Sequence, residues 1–127
     1  VTTSPLAFLH ATLDAAQAEA EAATKGPWEA EGDDPTDDTV YSVCEDPDLV
    51  GHQVAFTRGP ESYANMVHIA SHDPAATLRR IAADRKLIEV CEEVLAVDGW
   101  EYDDAPKLAE HVISNLAEGW GWMGEPT

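Results

Sequence analysis

The sequence predicts an α+β fold: an N-terminal helix, a small antiparallel sheet of two or three strands, then a helical C-terminal half, with a broken helix over 61–96 and a last helix over 105–118. Three observations predict it. Apolar residues recur at helical spacing near the N-terminus and again from residue 61 onward. Between these stretches, β-branched and aromatic residues sit in short runs bracketed by Gly and Pro. Residues 29–48 hold nine acids and no base, and Gly32, Pro35 and Pro47 interrupt them, which excludes one continuous helix.

The first helix is expected over residues 5–23. Ser4 suits the N-cap and Pro5 the first helical position. Leu6, Leu9 and Leu13, with Phe8 beside them, form a short apolar stripe. Beyond Asp14 the segment is mostly Ala and Glu, so it keeps helix propensity but has little to bury. Gly26-Pro27 ends it. Strands are expected over 40–45 and 53–57, with 28–31 as a third, joined by acidic turns.

From residue 61 the period becomes helical, with Tyr63, Met66, Val67 and Ala70 near one face. Asp73-Pro74 breaks the run and restarts it, Asp73 as N-cap and Pro74 in the first turn. The next stripe is Leu78, Ile81, Ile88, Cys91 and Leu95, widened by Leu87 and Val94. Arg85 falls at its edge, where a half-buried guanidinium wants a carboxylate partner. The last helix should turn Leu108, Val112 and Leu116 inward and stop at Gly119.

The chain has 25 Asp and Glu against 7 Lys and Arg, a net charge of −18 over 127 residues. One domain, 1–127, fits this length. The charge excludes a basic nucleic-acid binder and points to a solvated acidic surface facing a positive partner. Cys44 and Cys91 lie far apart, with no metal-ligand or redox spacing, so free thiols in a reducing compartment are expected. The first residues show no secretory pattern, and no apolar run is long enough to span a bilayer. The expected location is therefore the cytoplasm, with no membrane partner.

His68 and His72 sit four apart on a helix and share a face, a spacing that can hold a divalent metal. The run between them lacks the Glu of a zinc-peptidase helix. The structural reading comes first: His72 sits at a helix C-terminus, where the backbone dipole favours positive charge, and Asp73 caps the next helix. Arg79, Arg80, Arg85 and Lys86 could form a phosphate-binding patch, but pairing with the acids of 29–48 explains them more simply. The paired carboxylates fit no calcium loop. Trp28 and Trp100 are expected to close the core, and Trp120 and Trp122 offer a contact surface if exposed. No catalytic residue and no cofactor is assigned.

Two segments carry a resemblance. Ala23-Thr24-Lys25-Gly26-Pro27-Trp28, following a helix, resembles the Ala-Thr-x-Gly-Pro-Trp signature of a family of small actinobacterial and actinophage proteins of unknown function. His68-Ile69-Ala70-Ser71-His72-Asp73-Pro74-Ala75, followed by Leu78-Arg79 and Arg85-Lys86, resembles its second signature, and Leu6-Ala7-Phe8-Leu9 with Leu13-Asp14 fits its opening. The resemblance covers roughly residues 5–95, and the Trp120-Gly121-Trp122 ending departs from it. A looser similarity links the first signature to small early proteins of tailed phages. The resemblance implies a phage or prophage setting and supplies no activity.

Three functions follow as expectations. The first is a non-enzymatic acidic interaction protein that mimics nucleic acid and inhibits a basic host protein, without binding nucleic acid itself. Its contact residues would be Asp33, Asp34, Asp37, Asp38, Glu45, Asp46 and Asp48, with Trp120 and Trp122. The second is a small-ligand or metal-dependent binding protein or enzyme using His68, His72, Arg79 and Arg80. The third is a homo-oligomer, such as a homodimer, built through the Trp tail.

Overall fold

The computed structural model describes residues 4–34, 37–43, 46, 48 and 51–124, with residues 31–34, 37 and 38 described by their backbone. Helix α1 runs Pro5–Ala22, strands β1, β2 and β3 run Trp28–Asp34, Asp37–Ser42 and Gln53–Arg58, and helices α2, α3 and α4 run Ser62–Ser71, Pro74–Ala96 and Asp104–Gly119. This is the predicted order of N-terminal helix, antiparallel sheet and helical second half. Two compact units divide the chain: one takes residues up to 16 together with those from 81 on, the other residues 17–80.

Local chemistry starts the helices where the sequence says it should. Ser4 caps α1, its Oγ accepting the Ala7 N–H at 3.1 Å, and Pro5 fills the position whose N–H would lack a helical partner. Asp73 does the same for α3, with Oδ1 accepting the Ala76 N–H at 2.7 Å and Pro74 behind it. In the first unit Leu9 and Leu13 of α1, Ile81, Ile88 and Cys91 of α3, and Ala109, Ile113 and Ala117 of α4 form one buried cluster. Each Leu or Ile buried there contributes about 1.5–3 kcal/mol.

Three faces differ from expectation. In α4 the inward row is Ala109, Ile113 and Ala117, while Leu108 is 65% exposed and Val112 and Leu116 flank the core. Small alanines let the helix approach its neighbours closely, and the larger side chains pack at the edges. In α2 the buried positions are Ser62 and Met66, one helical turn apart, whereas Tyr63 and Val67 are exposed. In α3 Leu87 and Leu95 are also exposed, leaving Ile81, Ile88 and Cys91 as the buried line.

Helix α4 ends at Gly119, as expected, with Trp120 as its C-cap. Gly121 has φ +107°, its N–H meets the Glu118 carbonyl at 3.0 Å, and the Trp122 N–H meets the Ala117 carbonyl at 2.8 Å. This is a Schellman cap, with glycine at the left-handed position. It folds the tail back onto its own helix.

In the second unit the sheet order is β1-β2-β3, all antiparallel. Strand β2 begins at Asp37 rather than residue 40, because the ladder recruits the preceding residues: Asp34 pairs with Asp37, and Arg58 of β3 also lies opposite Asp37. The acids expected in a turn thus lie at the ends of two strands. Helix α2 contacts all three strands, and Val40 and Met66 are fully buried.

Candidate functional site

The two segments singled out in the sequence meet in space. Asp73, 5% exposed, is the one buried carboxylate among the described residues of the second unit. Its Oδ2 accepts the backbone N–H of Trp28 at 2.7 Å, and its Oδ1 caps α3. One side chain therefore ties the start of β1 to the start of α3, across 45 positions of sequence. Gly26 passes so close that an added Cβ would lie 3.0 Å from Cγ and Oδ2 of Asp73. The Trp28 indole N–H donates to the Thr24 carbonyl at 2.8 Å. The Ser42 hydroxyl, fully buried, donates to the Lys25 carbonyl at 2.6 Å, and the Val43 N–H reaches the Pro27 carbonyl at 2.8 Å. The Gly-Pro-Trp turn is thus fastened on several sides. A shallow groove of about 440 Å³ runs beside it, between Ala20 and Glu21, Lys25 and Gly26, and Pro74, Ala75 and Leu78.

His68 and His72 come together as their spacing predicts, with ring centres 4.4 Å apart and planes tilted by 38°. Both are exposed. The Ser71 hydroxyl donates to the His68 carbonyl at 2.8 Å, and Nδ1 of His72 lies 2.9 Å from that carbonyl and 3.1 Å from the Ser71 Oγ. Among the described residues no three His, Cys, Asp or Glu side chains gather as a metal site. Asp73, adjacent in sequence, is committed to backbone N–H groups.

Arg79 and Arg80 are exposed on α3. Arg85 has the carboxylate partner that its position calls for: its Nη2 lies 2.8 Å from Oδ1 of Asp14 on α1. Cys91 is a free, buried thiol, and burial raises its pKa above the ordinary 9.0, which makes it a poor nucleophile. Cys44 lies outside the described residues.

The tryptophans exchange roles relative to expectation. Trp100 is 44% exposed, its indole donating to the Val94 carbonyl at 3.0 Å. Trp120 and Trp122 are half-buried and pack on the helical core. The Schellman turn brings them there, and the Trp120 indole donates to Oδ2 of Asp84 at 2.8 Å. Both therefore pack against the core while keeping part of their surface exposed.

Of the acidic contact residues named from sequence, Glu45 and the side chains of Asp33, Asp34, Asp37 and Asp38 lie outside the described residues. Asp48 is exposed and its N–H meets Oδ1 of Asp46 at 2.9 Å, a local turn. A second acidic stretch is fully described. Residues 89–104 contain seven acids and no base, and Glu89, Glu92, Glu93, Asp98, Glu101, Asp103 and Asp104 are all exposed. Val90, Val97, Trp100 and Tyr102 are exposed among them. Of these four apolar residues, Trp100 is the one that the sequence assigns to the core. Among the described residues no helix is long and apolar enough to cross a membrane.

No curated protein and no solved structure matches the chain. A family model does, over residues 2–121, nearly the whole sequence, so the chain belongs to the family of unknown function DUF6221.

Proposed function

We propose that this chain is a non-enzymatic binding protein whose carboxylate-bearing exterior docks on a basic protein surface, in the manner of a nucleic-acid mimic. The observation that carries the reading is where the carboxylates lie. Among the described residues Asp73 is the one buried acid, and it holds backbone N–H groups in place. The others face outward or lie half-exposed, and the exposed acids of 89–104 interleave with exposed apolar side chains.

Spacing supports the comparison with phosphates. Glu89, Glu92 and Glu93 stand on one side of α3 and rise over about 6 Å of helix axis, a span along which one DNA strand carries about two charges. Like charges at these spacings destabilise a helix. The sequence keeps them together despite that cost. Glu92 lies 3.3 Å from His10, and Asp103 holds Lys107 at 2.8 Å, so one charge of the stretch is offset within the fold. On this reading the setting is a bacterial cytoplasm and a phage or prophage gene, as the resemblance of the signatures implies. The partner is a basic host protein of defence or nucleic-acid handling.

The test compares the wild-type chain, immobilised, with a variant carrying Glu89→Gln, Glu93→Gln, Asp98→Asn and Glu101→Gln. The reading expects nucleic-acid-binding proteins to be retained by the wild type, released by competing duplex DNA and by salt, and lost from the variant. Equal retention on both chains, or indifference to duplex DNA, would refute it.

A further inference from the structure

We infer that His68 and His72 form a two-imidazole chelate for a divalent transition-metal ion, with the remaining coordination positions filled by water. This is independent of the acidic surface. The decisive detail is which nitrogen of His72 carries the proton. The hydroxyl hydrogen of Ser71 is used on the His68 carbonyl, so toward His72 the Ser71 oxygen can only accept. The His68 carbonyl can also only accept. Both neighbours of Nδ1 are therefore acceptors, and Nδ1 must be the protonated nitrogen. The lone pair of the neutral ring is left on Nε2, in an exposed side chain. Donation of the second ring N–H to a backbone carbonyl is how metal-binding histidines have their tautomer and orientation set.

The pair geometry agrees. Two imidazoles on one ion, each at about 2.0–2.1 Å through nitrogen, have ring centres about 4.5–5 Å apart. The rings already stand at 4.4 Å, close to that span. His68 lies in the last turn of α2 and His72 is its C-cap; the contact of His72 Nδ1 with the His68 carbonyl holds the second ring against that turn, which reduces the ordering needed on binding. Imidazole ligands select copper, nickel and zinc over magnesium and calcium, with Cu(II) the tightest. The acidic exterior raises the local concentration of cations without choosing among them.

The experiment titrates the full chain with Cu(II) and with Ni(II), in excess Mg(II) to occupy carboxylates. Calorimetry reads stoichiometry and affinity, and electron paramagnetic resonance reads nitrogen hyperfine coupling to copper. The expected result is one tight ion per chain with two coupled nitrogens. His68→Ala or His72→Ala should each weaken binding about tenfold or more, since a chelate becomes a single ligand. The paired change Val67→His with His68→Val keeps the histidine count but breaks the spacing, and should match His68→Ala. His10→Ala and His52→Ala should leave the tight site intact. Circular dichroism confirms that each variant is folded, as these are exposed positions. Unchanged affinity in His68→Ala and His72→Ala, retention by the displaced pair, or loss with His10→Ala would overturn the inference.

Discussion

Asp73 shows how one side chain can organise two distant segments. Its oxygens accept two backbone N–H groups, at 2.7 Å each, from β1 and α3. Asn is sterically equivalent and a good N-cap, but its amide nitrogen cannot accept a hydrogen bond. Asp73→Asn should therefore leave one N–H orphaned and cost about 1–3 kcal/mol, read from urea unfolding. An equally stable variant would show that one of the two bonds is dispensable. Gly26→Ala should cost about as much, because its Cβ would lie 3.0 Å from the same carboxylate, which two hydrogen bonds hold in place. The N-cap half of this arrangement is legible in Asp73-Pro74, since capping is local chemistry. The Trp28 half is not, because no local pattern announces a partner 45 residues away. Cys91 gives a pH prediction at the same scale. Its folded thiol titrates above 9.0 because burial disfavours the thiolate. The unfolded chain loses that proton first, so stability is full below about pH 9 and falls as pH rises toward the folded value. Cys91→Ala should flatten that alkaline decline in a series of thermal melts. An identical decline in the variant would assign it to other groups.

At the scale of elements, the starts of helices were easier to read than their faces. Ser4-Pro5 and Asp73-Pro74 mark the starts of α1 and α3 because the first turn needs an acceptor and can spare an N–H. The inward face of α4 differs from the sequence reading because side-chain bulk does not decide burial there. Leu108, Val112 and Leu116 outweigh Ala109 and Ala117, yet a closely packed helix needs small residues at its line of approach. Substitution can check this register. Ile113→Ala should cost about 2–5 kcal/mol as a core truncation, whereas Leu108→Ala should change stability by no more than about 0.5 kcal/mol. The reverse order would restore the sequence reading. Strand β2 was read too short for a related reason: its first residues become strand through pairing with β1 and β3, and pairing is invisible in a run of Asp and Thr. Trp100, expected in the core, is 44% exposed among the acids of 89–104. Periodicity cannot separate a helix's buried stripe from apolar residues left at its edge.

For the whole molecule, a net charge of −18 means that self-repulsion opposes compaction. Added salt screens this repulsion over a Debye length of about 10 Å at 0.1 M, so the melting temperature should rise with sodium chloride before any specific ion effect sets in. The interaction proposal makes this dependence informative. If Glu89 and Glu93, neighbours at i, i+4 on α3, are kept for a partner, neutralising them should favour the folded state while harming binding. Glu89→Gln with Glu93→Gln should raise stability by about 0.2–0.5 kcal/mol at low salt, with the gain shrinking at high salt, and should weaken capture of the basic partner. A stability gain with intact capture would make the carboxylates a solubility device. A stability loss would mean they take part in attractive contacts within the fold. Opposite signs for folding and binding, in one variant and one buffer, are the signature of a charge array retained for another molecule.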